Sequence, residues 1–343
     1  MGLKSEIKKY HREASRSDRN DLIAYWEEEE FYKDEIKDVF SLIFRTRGCH
    51  RSYSSGCSMC GYYTDTNPDI KSEDIKEQLD EALSHYDEQK IVKIYTSGSF
   101  LDKKEIEDEM AFKILESFDA EKIVIESRPE FVYRERVTKL SETVDDLELA
   151  LGLESANDFV LEKCINKGFA FKDYKKSVEQ ISDLVSIRTY LLLKPPFLTE
   201  KEAIGDLINS IQSISDFTDI ISVNPVNVQN GTLLEELWHR GLYSPPWLWS
   251  IFEVLKSTEK INKPIFVSKA GLGSERGANN CEDCNDLFLK LIERFNKSQK
   301  TASLEKLPEC DCKSRWKAEK EIAPYLHFRG SPKILRDRYA GYV

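Results

Sequence analysis

The sequence predicts an α/β fold, a partial (β/α)6 barrel open on one side, followed by a small C-terminal metal-binding domain. Three observations predict it. Apolar, strand-like runs alternate with helical stretches six times between Val39 and Pro225, which implies a parallel sheet with helices outside it. Polar residues cluster after every one of these runs. A β/α barrel builds its site there from the loops of all strands, whereas a doubly wound sheet concentrates it at one switch point. Seven of the eight cysteines fall into two groups, one in the first of these loops and one beyond the last strand. The reading divides the protein into an N-terminal helical extension (1–38), the partial barrel (39–270) and a C-terminal four-cysteine, basic domain (271–343).

In sequence order, residues 3–38 read as one or two polar covering helices. Val39–Phe44 is the first buried strand, and its carboxyl end carries Cys49, Cys57 and Cys60. Ser72–Tyr86 is helical, with Ser72 as N-cap and Ile75, Leu79 and Leu83 at four-residue spacing. Ile91–Thr96 is a strand ending in Ser97-Gly98-Ser99, and Lys104–Phe118 a helix. Ile123–Glu126 ends in Ser127-Arg128-Pro129-Glu130, and Leu147–Leu153 in Glu154-Ser155. Phe171–Val185 is helical, Arg188–Leu193 ends in Lys194-Pro195-Pro196, Lys201–Ile214 is helical, and Ile220–Val223 ends in Asn224-Pro225. Pro264–Ser268 is a further strand, and Asp286–Asn296 a helix between two cysteine pairs.

With 40% hydrophobic and 32% charged residues, the protein reads as soluble and globular. No apolar run approaches membrane length, and the charged stretch Met1–Arg19 is unlike a signal peptide. Eight cysteines without such a signal point to a reducing, cytoplasmic compartment and to metal sites rather than disulfides. The net charge of −11 argues against nucleic acid, but it is unevenly spread. Residues 255–343 hold 18 Lys+Arg against 12 Asp+Glu, while the rest holds 32 against 49. A basic tail on an acidic body suits a backbone-binding appendage or a solvated charged surface.

The first cysteine group has the spacing C-x7-C-x2-C. Three thiolates on one loop can cap one face of a four-iron cluster and leave one iron open, as catalysis needs. A structural zinc site normally closes with four ligands at short paired spacings, and His50 is awkwardly adjacent to Cys49. At the other strand ends, Glu126 can accept from hydroxyls or an ammonium, and Arg128 can fork onto a carboxylate. Lys194 can neutralise an acidic group or snorkel at the rim, and Arg188, at the far end of its strand, reads as structural. Cys164 reads as a packing thiol at a helix end. The second group, Cys281, Cys284, Cys310 and Cys312, reads as a closed tetrahedral zinc site, with an auxiliary iron–sulfur cluster as the alternative. Lys313, Arg315, Lys317, Arg329, Arg336 and Arg338, interleaved with aromatics, suit RNA binding or the docking of a basic helix on the acidic body.

On these residues the sequence resembles the radical S-adenosylmethionine (SAM) enzymes, whose usual cysteine spacing is C-x3-C-x-Φ-C. Here the first gap is seven residues and Φ is Met59. The longer gap is similar to that of the Elongator catalytic-subunit branch, and Tyr62 stands where it can take over the adenine-packing role. The resemblance implies a 4Fe-4S cluster on Cys49, Cys57 and Cys60, with SAM held by Ser97, Gly98, Ser99, Glu126, Arg128, Glu154, Ser155, Lys194 and Asn224. Asn227 and Gln229 read as substrate-side amides, and no side chain is assigned as catalytic beyond the cluster and SAM. The segments Arg47-Gly48-Cys49, Gly152-Leu153-Glu154-Ser155-Ala156-Asn157, Ile165-Asn166-Lys167-Gly168-Phe169 and Leu193-Lys194-Pro195-Pro196-Phe197 resemble the radical SAM subunit family of archaeosine synthase. That resemblance implies a lyase acting on tRNA. It would cleave the C–N bond of the lysine side chain in a lysine-adducted 7-cyano-7-deazaguanine of the D-arm, beside a lysine-transferring partner subunit. A homo-oligomer stays open, as do two rivals, an Elongator-like radical SAM reaction on tRNA and a non-catalytic, metal-stabilised RNA-binding module.

Overall fold

The computed structural model describes residues 2–10, 19–304 and 307–326. After a short helix α1 (Leu3–Tyr10), the protein forms an antiparallel hairpin of β1 (Ala24–Tyr32) and β2 (Glu35–Phe44). This corrects the expected helical extension. The two turn residues, Lys33 and Asp34, have φ of 49° and 63°, the left-handed pair that a two-residue hairpin demands. The hairpin escaped the sequence because its inward positions carry Glu28 and Glu30 instead of apolar residues.

From β2 onward the fold runs as β/α units. The strands are β3 (Ile91–Thr96), β4 (Lys122–Ser127), β5 (Leu147–Glu154), β6 (Ser186–Leu193), β7 (Ile220–Pro225) and β8 (Ile265–Val267). They form one eight-stranded sheet in the order β1 to β8, parallel from β2 onward. Helices α2 (Ser72–His85), α3 (Asp108–Glu116), α4 (Arg134–Ser141), α5 (Phe171–Glu179) and α6 (Glu200–Ile214) cover it, followed by α7 (Leu233–His239), α8 (Leu248–Ser257), α9 (Asn285–Ser298) and α10 (Cys312–Leu326). The sequence did not suggest α4, α7 or α8. The expected helices at 104–118 and 171–185 are shorter because each ends or begins in tight turns.

Alternation along the strands puts a charged layer inside the barrel at its amino-terminal end. Lys93 lies 2.8 Å from both Glu28 and Glu30, and Arg188 lies 2.6 Å from Glu30. Glu148 pairs with both Lys122 and Arg188. Burial opposes the charge on Glu30, but Arg188 and Lys93 outweigh it and hold the carboxyl well below its usual range. Three acids meet three bases, the condition under which burying ions is tolerable.

The described part of the C-terminal segment shares the barrel's core. Phe288, Ile292 and Phe295 of α9 and Trp316 of α10 pack with Trp249 and Phe252 of α8. Helix α9 also caps the last strand. Asn296 accepts from Val267 N (2.9 Å) and donates to Val267 O (2.8 Å), while Gln299 accepts from Ile265 N (2.9 Å). Lys297 reaches Glu29 of β1 at 2.5 Å, so one helix touches both edges of the sheet.

Candidate active site

The three-cysteine loop leaves the carboxyl end of β2 and is held from four directions. Cys49 N–H donates to Ser97 O (3.3 Å). Ser58 donates from its hydroxyl to Cys164 O (2.6 Å) and from its backbone to Ile165 O (2.9 Å). Asn166, left-handed at φ 64°, donates from its side chain to Gly56 O and Ser55 Oγ, and its own carbonyl accepts from Arg51 (2.9 Å). Gln229 accepts from Gly61 N–H (2.6 Å). Gln229 therefore clamps the loop rather than serving as a free substrate-side amide. Cys164 is buried in the core, as a packing thiol should be.

Cys49 and Cys60 both feel the charge of Cys57. Burial, opposed by Arg128 and reinforced by Cys57, pushes Cys49 up to about 11. Burial and the neighbouring Cys57 push Cys60 up to about 12. Such thiols give up their protons to a metal rather than to water, and an all-sulfur donor set suits an iron–sulfur cluster. His50 does not join them; its ring meets Phe131 edge-on at 5.1 Å, and its Nε2 lies 3.7 Å from Glu130.

Charged residues from β4, β5 and the segment after β5 gather beside these cysteines. Arg128 donates to Glu130 (2.7 Å) and to Lys167 O (2.6 Å) and senses the charges of Cys49 and Cys57. Glu154 pairs with Lys167 at 2.7 Å. It adopts φ 75° where the β5–β6 register shifts, so a bulge aims its side chain inward. Glu126 accepts from Thr96 N–H (3.0 Å); confinement between protein walls, with Glu154 close by, raises it to about 8. Tyr62 is 53% exposed, and its phenol faces Cys60, Glu126 and Glu154. Lys167 was not picked out by pattern, although it lies in the segment Ile165–Phe169 that carried the resemblance.

Other expected site residues are placed differently. Ser99 is buried; its hydroxyl accepts from Arg128 N–H and its own N–H donates to Glu105. Ser97 gives its carbonyl to Cys49, and Gly98 closes over Glu105, whose Oε1 would sit 2.0 Å from an added Cβ. Glu105 also accepts from Thr46 Oγ1 (2.7 Å), and burial raises it to about 8. This buried carboxyl group ties the β2 and β3 loops together. The sequence offered no sign of it beyond an acid seven residues after a glycine. Ser155 faces outward, donating to Asp206 (3.0 Å), because strand alternation turns it away from the side of Glu154. Lys194 is buried against Glu200 (2.6 Å), with Glu319 at 3.6 Å, so α6 and α10 take up its charge. Asn224 lies one residue before the end of β7, where it accepts from Ser222 (3.2 Å).

The second cysteine group is a compact knot. The sulfurs of Cys281, Cys284, Cys310 and Cys312 lie within 4.8 Å of one another, with pairs at 3.3 and 3.6 Å. One ion at Zn–S distances of about 2.3 Å places tetrahedral sulfurs about 3.8 Å apart, and this set fits a single metal ion. A four-iron cluster, with one cysteine per iron, would hold them further apart. Trp249 Nε1 donates to Cys312 Sγ at 3.2 Å. Lys313 lies over the Trp249 ring and Arg315 over that of Trp247, and Lys317 is exposed. Trp316 and Lys320 dock α10 on α8 through Ser250 and Glu253. Arg329, Arg336 and Arg338 lie outside the described residues. No described helix is long and apolar enough to cross a membrane.

The family model for the radical SAM superfamily matches residues 43–207. The protein is 36% identical over 328 residues to archaeosine synthase subunit beta of Methanosarcina acetivorans, covering 92% of this sequence and 94% of that one. It is 38% identical over 310 residues to the subunit of the same name from Thermococcus kodakarensis, covering 86% and 95%. Among solved structures, methylornithine synthase shares the fold with a TM-score of 0.51 at 17% identity, covering 88% of this protein and 85% of that one. A queuine lyase from Clostridium spiroforme does so with a TM-score of 0.50 at 19% identity, covering 71% and 95%. The chain belongs to the radical SAM superfamily and, along nearly its whole length, to the family of archaeosine synthase subunit beta.

Proposed function

We propose that this protein is the radical SAM lyase of archaeosine formation. It would cleave the C–N bond of the lysine side chain in lysine-adducted 7-cyano-7-deazaguanine of the tRNA D-arm, beside a lysine-transferring partner subunit in the cytoplasm. The observation that carries the reading is the meeting of three half-buried thiols with Arg128, Glu126 and the Glu154–Lys167 pair at the strand ends of a protein related along nearly its whole length to archaeosine synthase beta subunits. Cys49, Cys57 and Cys60 would hold a 4Fe-4S cluster. When bound, that cluster and SAM supply the hydrogen-abstracting radical chemistry.

The protein's own residues position and shield. Arg128 sets a fixed cation beside Cys49 and Cys57, suited to an anionic carboxylate. Glu154, steadied by Lys167, presents a carboxylate to an ammonium or ribose hydroxyls. Glu126, held protonated near neutral pH, can donate to an acceptor from inside the barrel. Tyr62 offers an exposed ring to a planar base. The carbonyl of Ser97 fixes the loop rather than remaining free for a ligand. Zinc on Cys281, Cys284, Cys310 and Cys312 would be structural.

The test uses anaerobically reconstituted protein: iron, sulfide and zinc content, 5′-deoxyadenosine formation with SAM and a reductant, and archaeosine formation on lysine-adducted tRNA. About four irons, one zinc and turnover on that tRNA alone are expected. Reductive SAM cleavage without any archaeosine would leave the class standing and overturn the substrate.

A further inference from the structure

The gap between Cys49 and Cys57 is seven residues, longer than three thiol ligands require, and part of it lines a cleft on the face of the cluster loop. Lys4, Ser5 and Lys8 of α1 form one wall of this cleft of about 440 Å³, and Arg51, Ser54 and Ser55 of the loop form the other. Helix α1 is fixed there by its opposite face, where Leu3, Ile7 and Tyr10 pack on Leu233, Leu234 and Leu237 of α7. Lys4 and Lys8, one helical turn apart, therefore point together toward the loop.

The charge of the cleft is one-sided. Among the described residues three cations line it and no carboxylate does. Among the described residues Lys4, Lys8 and Arg51 have no acidic partner, although the protein as a whole carries −11. Arg51 is held in place. Its guanidinium lies against Gly168, whose φ of 92° and missing Cβ admit it, and it donates to Asn166 O. Its Nε is enclosed, with no hydrogen-bond partner among the described residues. Ser55 Oγ accepts from Asn166, which leaves its own proton to donate. A fixed guanidinium, two ammonium groups and a free hydroxyl form the donor set for a tetrahedral oxyanion.

We propose that this cleft binds a backbone phosphodiester of the RNA substrate, placed by the lengthened cysteine gap next to the cluster loop. The proposal rests on the tRNA reading above. It adds a place where RNA is gripped on the side of the cluster.

The test measures affinity for unmodified tRNA with full-length reconstituted protein across a salt series. The variants are the double substitution Lys4→Gln/Lys8→Gln and, as the charge-retaining control, Lys4→Arg/Lys8→Arg; equal iron content and far-ultraviolet spectra confirm folding. The glutamine variant should lose about tenfold or more in affinity. Its slope of log affinity against log salt should shrink by roughly 1.4 to 1.8, as expected for two lost phosphate contacts, while the arginine variant keeps both. Unchanged affinity and slope in the glutamine variant, with tRNA still bound, would overturn the cleft and leave the tRNA reading intact. Failure of the wild-type protein to bind tRNA at all would take down both. Thermal stabilisation by millimolar inorganic phosphate that the glutamine variant abolishes, without any change in tRNA affinity, would make this a small-phosphate site and overturn the RNA assignment.

Discussion

The two cysteine groups of this protein share an element and differ in nearly everything else. In the C-terminal group four sulfurs lie within 4.8 Å of one another, one accepts from Trp249, and aromatic rings of α8, α9 and α10 surround the knot. In the N-terminal group three thiols stand on a loop held by Ser97, Ile165, Asn166 and Gln229, and their neighbours are Arg128, Glu126, Glu154 and Lys167. A full ligand set in an apolar bed makes a clasp. An incomplete one beside fixed charges leaves room for a reactant. The surroundings, more than the ligands, separate the two groups.

The sharpest way to break the comparison is to cut each group in turn. Cys57→Ala should bring 5′-deoxyadenosine formation down to background while zinc stays near one per molecule, read by metal analysis of the same sample. Cys310→Ser should do the reverse. Zinc would be lost and the melting temperature would fall by about 10 °C or more, while iron would survive in whatever protein stays folded. If Cys57→Ala instead lost zinc and left iron, the two assignments would be exchanged.

A second, smaller effect concerns the charges beside the loop. Arg128→Lys keeps the charge but loses the fork to Glu130 and Lys167 O, and should cut SAM cleavage by about 10- to 100-fold at unchanged iron content. Acidity gives a third test. Glu105 and Glu126 are both raised to about 8. Between pH 5 and 8 the folded protein thus holds protons that the unfolded state has released, and stability should fall as pH rises through that window. Glu105→Gln should flatten the decline of melting temperature with pH, and an unchanged slope would show that the buried carboxyl ionises normally.

Much of this was legible. Strands β2 to β7 and both cysteine groups follow from apolar runs and spacing, because parallel strands buried on both faces read as continuous apolar segments. The hairpin was hidden because β1 feeds Glu28 and Glu30 to Lys93 and Arg188, so its inward face looks polar. Lys194 and Ser155 stand at strand ends as expected, yet Glu200 and Asp206 claim them, and neither partnership leaves a trace in the local pattern. Glu105 and Lys167 were missed for the same reason, since each takes its meaning from a residue that only the fold brings near. The smallest predicted effect also lies at such a junction. Asn296→Ala removes two bonds to Val267 and should cost about 1–3 kcal/mol, read by chemical denaturation, with both metals retained.

Those carboxamides have a wider consequence. A short terminal strand with bare amides and carbonyls is a template on which another molecule can build its own β-structure. Here the groups of Ile265 and Val267 are answered by side chains from a helix, which offers no strand to copy. That helix begins directly after Cys284, a member of the sulfur knot. A metal bound on that knot would then guard the sheet edge as well as the fold, and protein stripped of it should aggregate before its barrel unfolds.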